Sequence, residues 1–180
     1  MNSADCSILL DDNIACLAQG KALLEGLTDE LFTRPGPTEP VAWVGSHLRH
    51  CLDHYDSFFR GVPEGRMDYD KRVRDPSLET ERATAIAKIS GLLTALQDLK
   101  QSPADKAVLV KMDCGDNADE STWWSDSSLR RELQFLISHT VHHYALMVLL
   151  LKGMGVDVDP SFGVAPSTLR HLRSHAACAR

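Results

Sequence analysis

The chain is 180 residues long with a mass of 19.9 kDa, which fits one domain with a substantial core and no need of disulfides. Nineteen Lys and Arg stand against 25 Asp and Glu, a net charge of −6 with no long basic run, which excludes nucleic acid as the expected partner because phosphate binding needs clustered positive charge. A hydrophobic fraction of 43% without low-complexity stretches excludes disorder.

Four main helices are predicted. The first runs from about Ser7 to Leu27, with Leu10, Ile14, Leu17, Leu24 and Leu27 at helical spacing. Pro40 suits the first turn of the second, with Thr38 as cap and Glu39 at its positive end. That helix continues to Arg60 and stops at Gly61 and Pro63. The charged stretch 61–78 has no sustained apolar period and is long for adjacent antiparallel helices. It is therefore expected to carry the chain along the bundle, leaving helices two and three parallel.

The third helix spans about Ser77 to Leu99, with Ile86, Ile89, Leu93 and Leu96 at helical spacing. Ala107 to Met112 and Ser121 to Trp124 read as a small β-hairpin around Gly115-Asp-Asn, with Trp123 and Trp124 packing its base onto the helices. The fourth helix, from about Ser127 to Lys152, ends at Gly153 and Gly155, and a short helix is expected near Ser167 to His175. The expected fold is all-α: a four-helix bundle in a single domain, residues 1–180, with a long crossover between helices two and three and a hairpin before helix four.

The five cysteines, Cys6, Cys16, Cys51, Cys114 and Cys178, are odd in number, dispersed and without C-x-x-C, a pattern of free thiols in a reducing compartment. Asp5, Asp11 and Asp12 stand where a secretory signal carries positive charge, and the apolar run Tyr144 to Leu151 is too short to span a bilayer. A cytoplasmic protein without membrane association is expected.

Function is concentrated in histidine. Six of the eight fall in two windows, His47 to His54 and His139 to His143. At about 100° per residue, His47 and His54 fall inside the apolar arc of the second helix, with His50 nearer its polar boundary. On the fourth helix His139 and His143 share the stripe of Leu133, Leu136, Thr140, Met147 and Leu150, and His142 points outward. Imidazoles at i and i+4 present nitrogens to one point, and a third from a facing helix completes a three-histidine metal site. His47 is the selected third ligand. Neutral imidazoles suit zinc, nickel or iron, and copper too, and leave a position open for water or substrate.

The competing reading makes these inward histidines core residues hydrogen-bonded to backbone or carboxylates. Burying three without a ligand leaves many ring nitrogens to satisfy. His171 and His175 sit among Arg170, Arg173 and Arg180 and read as a solvated basic face. Cys51 lies in the apolar arc as packing. H-E-x-x-H, C-x-x-C-H, G-x-G-x-x-G and Walker A motifs are all absent.

The stretches Trp43-Val-Gly-Ser-His47-Leu-Arg-His50-Cys-Leu-Asp53-His54-Tyr55 and His139-Thr-Val-His142-His143-Tyr144 resemble the DinB/YfiT-like superfamily. That resemblance implies a four-helix bundle with a long crossover between helices two and three, binding a divalent metal. It implies a first ligand a few residues after a tryptophan, here His47, and a pair from H-x-x-H-H, here His139 and His143, with His142 outside the set. His50 and His54 are extra histidines on helix two and stand as alternatives to His47. Tyr144, Asp53 and Tyr55 are candidates for orienting the ligands, Asp53 more readily as a surface ion pair.

Characterised relatives of this kind resemble thiol-dependent transferases and isomerases. The expectation is a metal-dependent enzyme acting on a small-molecule substrate with a low-molecular-weight thiol, or a hydrolase using water. A binding or dimerisation module with a structural metal or none is the alternative. Relatives are often dimers, so a homodimer through the exposed side of the first helix is expected.

Overall fold

Leu10, Leu17 and Leu24 recur every seventh residue along the first helix, and all three are fully buried. They belong to α1 (Ser3–Gly26) in a computed structural model that describes residues 3–36, 42–101, 105–112 and 123–178. After it come α2 (Asp29–Thr33), α3 (Val44–Gly61), β1 (Arg66–Asp68), α4 (Ser77–Thr80), α5 (Arg82–Lys100), β2 (Ala107–Lys111), β3 (Ser125–Ser128), α6 (Leu129–Gly153) and α7 (Pro166–Cys178). The bundle consists of α1, α3, α5 and α6. Its core joins Leu10, Leu17 and Leu24 to Leu48, Leu52, Tyr55 and Phe58 of α3, Ile89 and Leu96 of α5, and Leu136 and Met147 of α6.

Cross-helix contacts define the helix directions. Arg82, opening α5, donates to the Leu24 carbonyl late in α1 at 2.9 Å, and Lys100, closing α5, reaches Asp11 early in α1 at 2.5 Å; these two helices are antiparallel. Arg49 pairs with Glu79 of α4 at 2.5 Å, and Asp56, about two turns further on, pairs with Lys88 of α5. Helices α3 and α5 therefore run parallel, as the long connection requires. Asn13 reaches Leu133, and Gly20 lies under Tyr144, so α1 and α6 are parallel too.

Asn13 is fully buried and ties three helices together. Its amide donates to the Leu9 carbonyl at 2.8 Å and the Leu133 carbonyl at 3.1 Å, and its oxygen accepts from Tyr55 Oη at 2.7 Å. Two glycines permit close approach. A Cβ at Gly20 would lie 2.0 Å from Tyr144 Oη, and one at Gly45 would lie 2.2 Å from the Glu79 carbonyl oxygen.

Several boundaries differ from expectation. The third bundle helix is broken at Glu81, which is extended (φ −118°, ψ 96°) and separates α4 from α5. The break turns α4 onto α3, where the Glu79 carbonyl accepts from Trp43 Nε1 at 3.2 Å and its carboxylate pairs with Arg49. The second hairpin strand is Ser125–Ser128 rather than Ser121 to Trp124, paired antiparallel with β2 through Ala107↔Ser128 and Val110↔Ser125. The crossover contributes a further strand, β1, parallel to β2 with Arg66 opposite Leu109, giving a three-stranded sheet in the order β1-β2-β3. Helix α2 was not foreseen. Thr38, Glu39 and Pro40, the Gly115-Asp-Asn turn, Cys114, Ser121 and the Cys178 side chain lie outside the described residues.

By length and composition alone α6 could cross a bilayer. It packs along its length against α1 and α3 as a core helix of the bundle does.

Replacing Asn13 by Ala leaves Tyr55 Oη and the Leu133 carbonyl without their buried partner, and is expected to lower unfolding free energy by about 2–3 kcal/mol in urea titrations. The double variant Asn13→Ala/Tyr55→Phe should cost less than the sum of the two singles. Strict additivity would contradict the link.

Candidate metal centre

His47, His50 and His54 occupy positions i, i+3 and i+7 of α3, so they form one stripe. The turn before them is fixed by the Trp43 amide, which donates to Ser46 Oγ at 3.0 Å. Helix α6 presents Phe135, His139 and His143 at successive i+4 positions on the facing side. Because α3 and α6 run antiparallel, His47 meets His143 and His54 meets His139, with His50 between them.

The separations are short. His47 Nδ1 and His143 Nδ1 are 3.0 Å apart, and His50 Nε2 and His139 Nε2 are 3.1 Å apart. One nitrogen each from His50, His139 and His143 falls within 4.8 Å of the others. His54 is nearly buried, 3% exposed, with its ring centroid 4.2 Å from that of His139. Its Nδ1–H donates to the His50 carbonyl at 2.7 Å, so Nε2 bears the lone pair and accepts from Arg72 Nη1 at 3.4 Å. His142 is exposed, as expected.

The crossover closes one side of this seam. Tyr69 stacks on His54 with centroids 5.6 Å apart, and its hydroxyl donates to Glu132 Oε2 at 2.9 Å. Glu132 also accepts from Ser127 Oγ at 2.5 Å. Phe135 stacks on His139 with centroids 5.4 Å apart.

Desolvation holds these imidazoles neutral, reinforced by their neighbours. His50 falls to about 3 through burial and then His54, His143 and His139, and His143 falls to about 3 through burial and then His139, His47 and His142. His54 and His139 fall to about 4, burial again dominating, with Arg72 adding to both. Burial followed by His142 lowers His47.

Such a donor set suits a divalent cation. Tetrahedral coordination with bonds of about 2.0–2.1 Å separates donor nitrogens by roughly 3.3 Å, close to both observed pairs. His139 Nδ1, the ring nitrogen that does not face His50 Nε2, is buried without a hydrogen-bond partner among the described residues.

Of the residues expected at the site, His139 and His143 come together, with His47 against His143. His50, expected nearer the polar boundary, faces the pair directly. Asp53 is not a surface group: it is 2% exposed and paired with Arg49 at 2.7 Å. Tyr55 is spent on Asn13, and Tyr144 is buried against Gly20 and stacked on Phe162, so neither orients a ligand. Cys51 is buried as expected, with its thiol pushed up by burial. His171 and His175 are exposed on α7, also as expected. Arg72 and Tyr69 were missed because they lie in the crossover, where no period marks a face. The i, i+3, i+7 spacing on α3 was the available signal for His50.

Residues 20–147, most of the chain, match the DinB superfamily. The chain belongs to that superfamily. Over 107 residues it is 30% identical to FK506-binding protein 5 of Rhizopus delemar, an alignment covering 59% of this chain and 28% of the relative. The chain thus spans little more than a quarter of that curated relative's length.

In the unfolded chain the histidines titrate near 6.5, whereas four of the folded ones do so only near 3 to 4. Between these values the unfolded state binds protons that the folded state refuses. Metal-free protein should therefore keep its stability above about pH 6.5 and lose it progressively as pH falls toward 3. Urea midpoints measured across that range, flat between pH 7 and 4, would contradict the assignment.

Proposed function

We propose that the protein is a divalent-metal-dependent enzyme of the DinB superfamily acting on a small molecule. The observation that carries this reading is the two pairs of facing nitrogens, 3.0 and 3.1 Å apart, between α3 and α6. His139 and His143 are the proposed ligands from α6. On α3, His47 is the ligand that the sequence points to, and His50 completes the tightest grouping of donors. Three of the four bind at a time, leaving coordination open to an outside ligand.

Zinc, nickel or iron fits an all-imidazole site. The bound ion would supply Lewis acidity, lowering the pKa of a coordinated thiol or water. The protein's own contribution is to keep the imidazoles neutral and their rings fixed. The His50 carbonyl sets the tautomer of His54, and Phe135 and Tyr69 wall the seam from solvent. Transfer of a low-molecular-weight thiol to an electrophile is the proposed reaction, with hydrolysis as its water-using counterpart. A cytoplasmic setting and a homodimer through the outer face of α1, where Ile8 is exposed, complete the proposal.

Elemental analysis after loading with zinc, nickel or iron should find about one metal per chain, lost in His139→Ala/His143→Ala. His47→Ala and His50→Ala separately identify the third ligand, which should weaken affinity more than about tenfold, whereas His142→Ala should leave it near normal. Metal retained in the double variant would overturn the site. Stoichiometric metal without thiol- or water-dependent turnover would favour a structural ion in a binding module.

A further inference from the structure

The segment that follows α6 builds a hollow against the end of α1. Val156 N donates to the Leu151 carbonyl at 2.9 Å, turning the chain back on itself. Further on, Phe162 stacks on Tyr144 with ring centroids 4.5 Å apart. Gly163, in the left-handed region at φ 72°, lies so close to α6 that a Cβ there would come within 2.9 Å of the Ala145 nitrogen. Between these two anchored points the chain and α1 bound a cavity of about 350 Å³, walled by Leu23, Leu27, Val156, Val158 and Phe162. Gly26 also lines it, and a Cβ on Gly26 would meet nothing within 4 Å. Close packing leaves few voids larger than a water molecule, whereas an apolar hollow of this size has the dimensions of a small-molecule pocket. At about 30 Å³ for each water-sized group it has room for roughly a dozen non-hydrogen atoms.

The charges around it are of one sign. Asp157 and Asp159 are the charged residues of the described lining, and both are exposed to solvent. Ser161 Oγ and the Ser161 amide donate to Asp159 Oδ1 at 2.5 and 2.7 Å, which holds that carboxyl below its ordinary range. Lys21 and Arg82, which flank this end of α1, are committed elsewhere. Lys21 pairs with Glu25 at 3.9 Å on the opposite side of the helix, and Arg82 pairs with Asp29 at 2.6 Å and donates to the Leu24 carbonyl. Lys152, exposed near the end of α6, is not part of the lining. An apolar wall beneath two carboxylates complements an apolar body that carries a positive charge.

We propose that this cavity is a binding site for a small organic cation, an alkyl or aryl-alkyl amine. Its apolar part lies against Leu23, Leu27 and Phe162, and its ammonium faces Asp157 and Asp159. The cavity shares no residue with the histidine seam, and the inference does not depend on the metal-binding reading.

The test titrates the protein by calorimetry and amide NMR with 4-phenylbutylamine, 4-phenylbutanol and 4-phenylbutanoate, probes of nearly equal size that differ in charge. The amine should bind about fivefold more tightly than the alcohol at low salt, the range of exposed ion pairs, and the carboxylate should bind most weakly. Amide shifts should centre on residues 19–27 and 156–162. Gly26→Leu fills the open space and should abolish binding of all three probes. Asp157→Lys should remove the preference for the amine and leave the affinity for the alcohol unchanged. Should Gly26→Leu fail to fold, the location of the wild-type shifts decides the question. Equal affinity for amine and alcohol overturns the ligand class. Absence of binding, shifts centred on the histidine seam, or wild-type affinity in folded Gly26→Leu overturns the site.

Discussion

Neutral imidazoles facing one another across two antiparallel helices are the constraint around which this bundle is organised. A histidine buried without partners loses hydration at a cost that packing alone does not offset. Here the cost is met only in part by mutual proximity: His47 lies against His143, His50 against His139, and His54 between a carbonyl and a guanidinium, while His139 Nδ1 has no hydrogen-bond partner among the described residues. Such an arrangement tolerates little slippage, because one residue of register between α3 and α6 would exchange histidines for their neighbours.

That register is held from outside the seam. Asn13 joins α1 to both α3 and α6 by hydrogen bonds inside the core. Trp43 and Arg49 clamp the first half of α3 to α4 through the carbonyl and carboxylate of Glu79. Tyr69 anchors the crossover to Glu132 at the start of α6. These contacts keep the two histidine-bearing faces aligned, and they explain why polar residues are buried in a bundle whose core is otherwise apolar. Lewis-acid chemistry, as proposed, would depend on the same alignment.

Much of this was legible in the chain. The bundle helices follow from apolar residues at helical spacing, and the inward pair His139 and His143 from an i, i+4 repeat within an apolar stripe. What escaped was nonlocal. A helical wheel assigned His50 by the hydropathy of its own neighbours, whereas its place is set by the histidines opposite. Asp53 looked solvent-facing because hydropathy cannot register Arg49, one turn away, as a partner. The break at Glu81 carries no Gly or Pro, since it arises from the pull of α4 toward α3. Strand β3 is a run of Ser and Asp with little β-propensity, and its pairing comes from the exposed edge of β2.

One contact outside the histidine seam bears on it. The Tyr144 ring is seated over Gly20, where a side chain as small as a methyl has no room. Tyr144 follows His143 directly in α6, so the seat on α1 fixes the roll of α6 about its own axis and, with it, the aim of the neighbouring imidazole. The bare backbone at position 20 thereby acts as a mechanical stop for an imidazole it never touches.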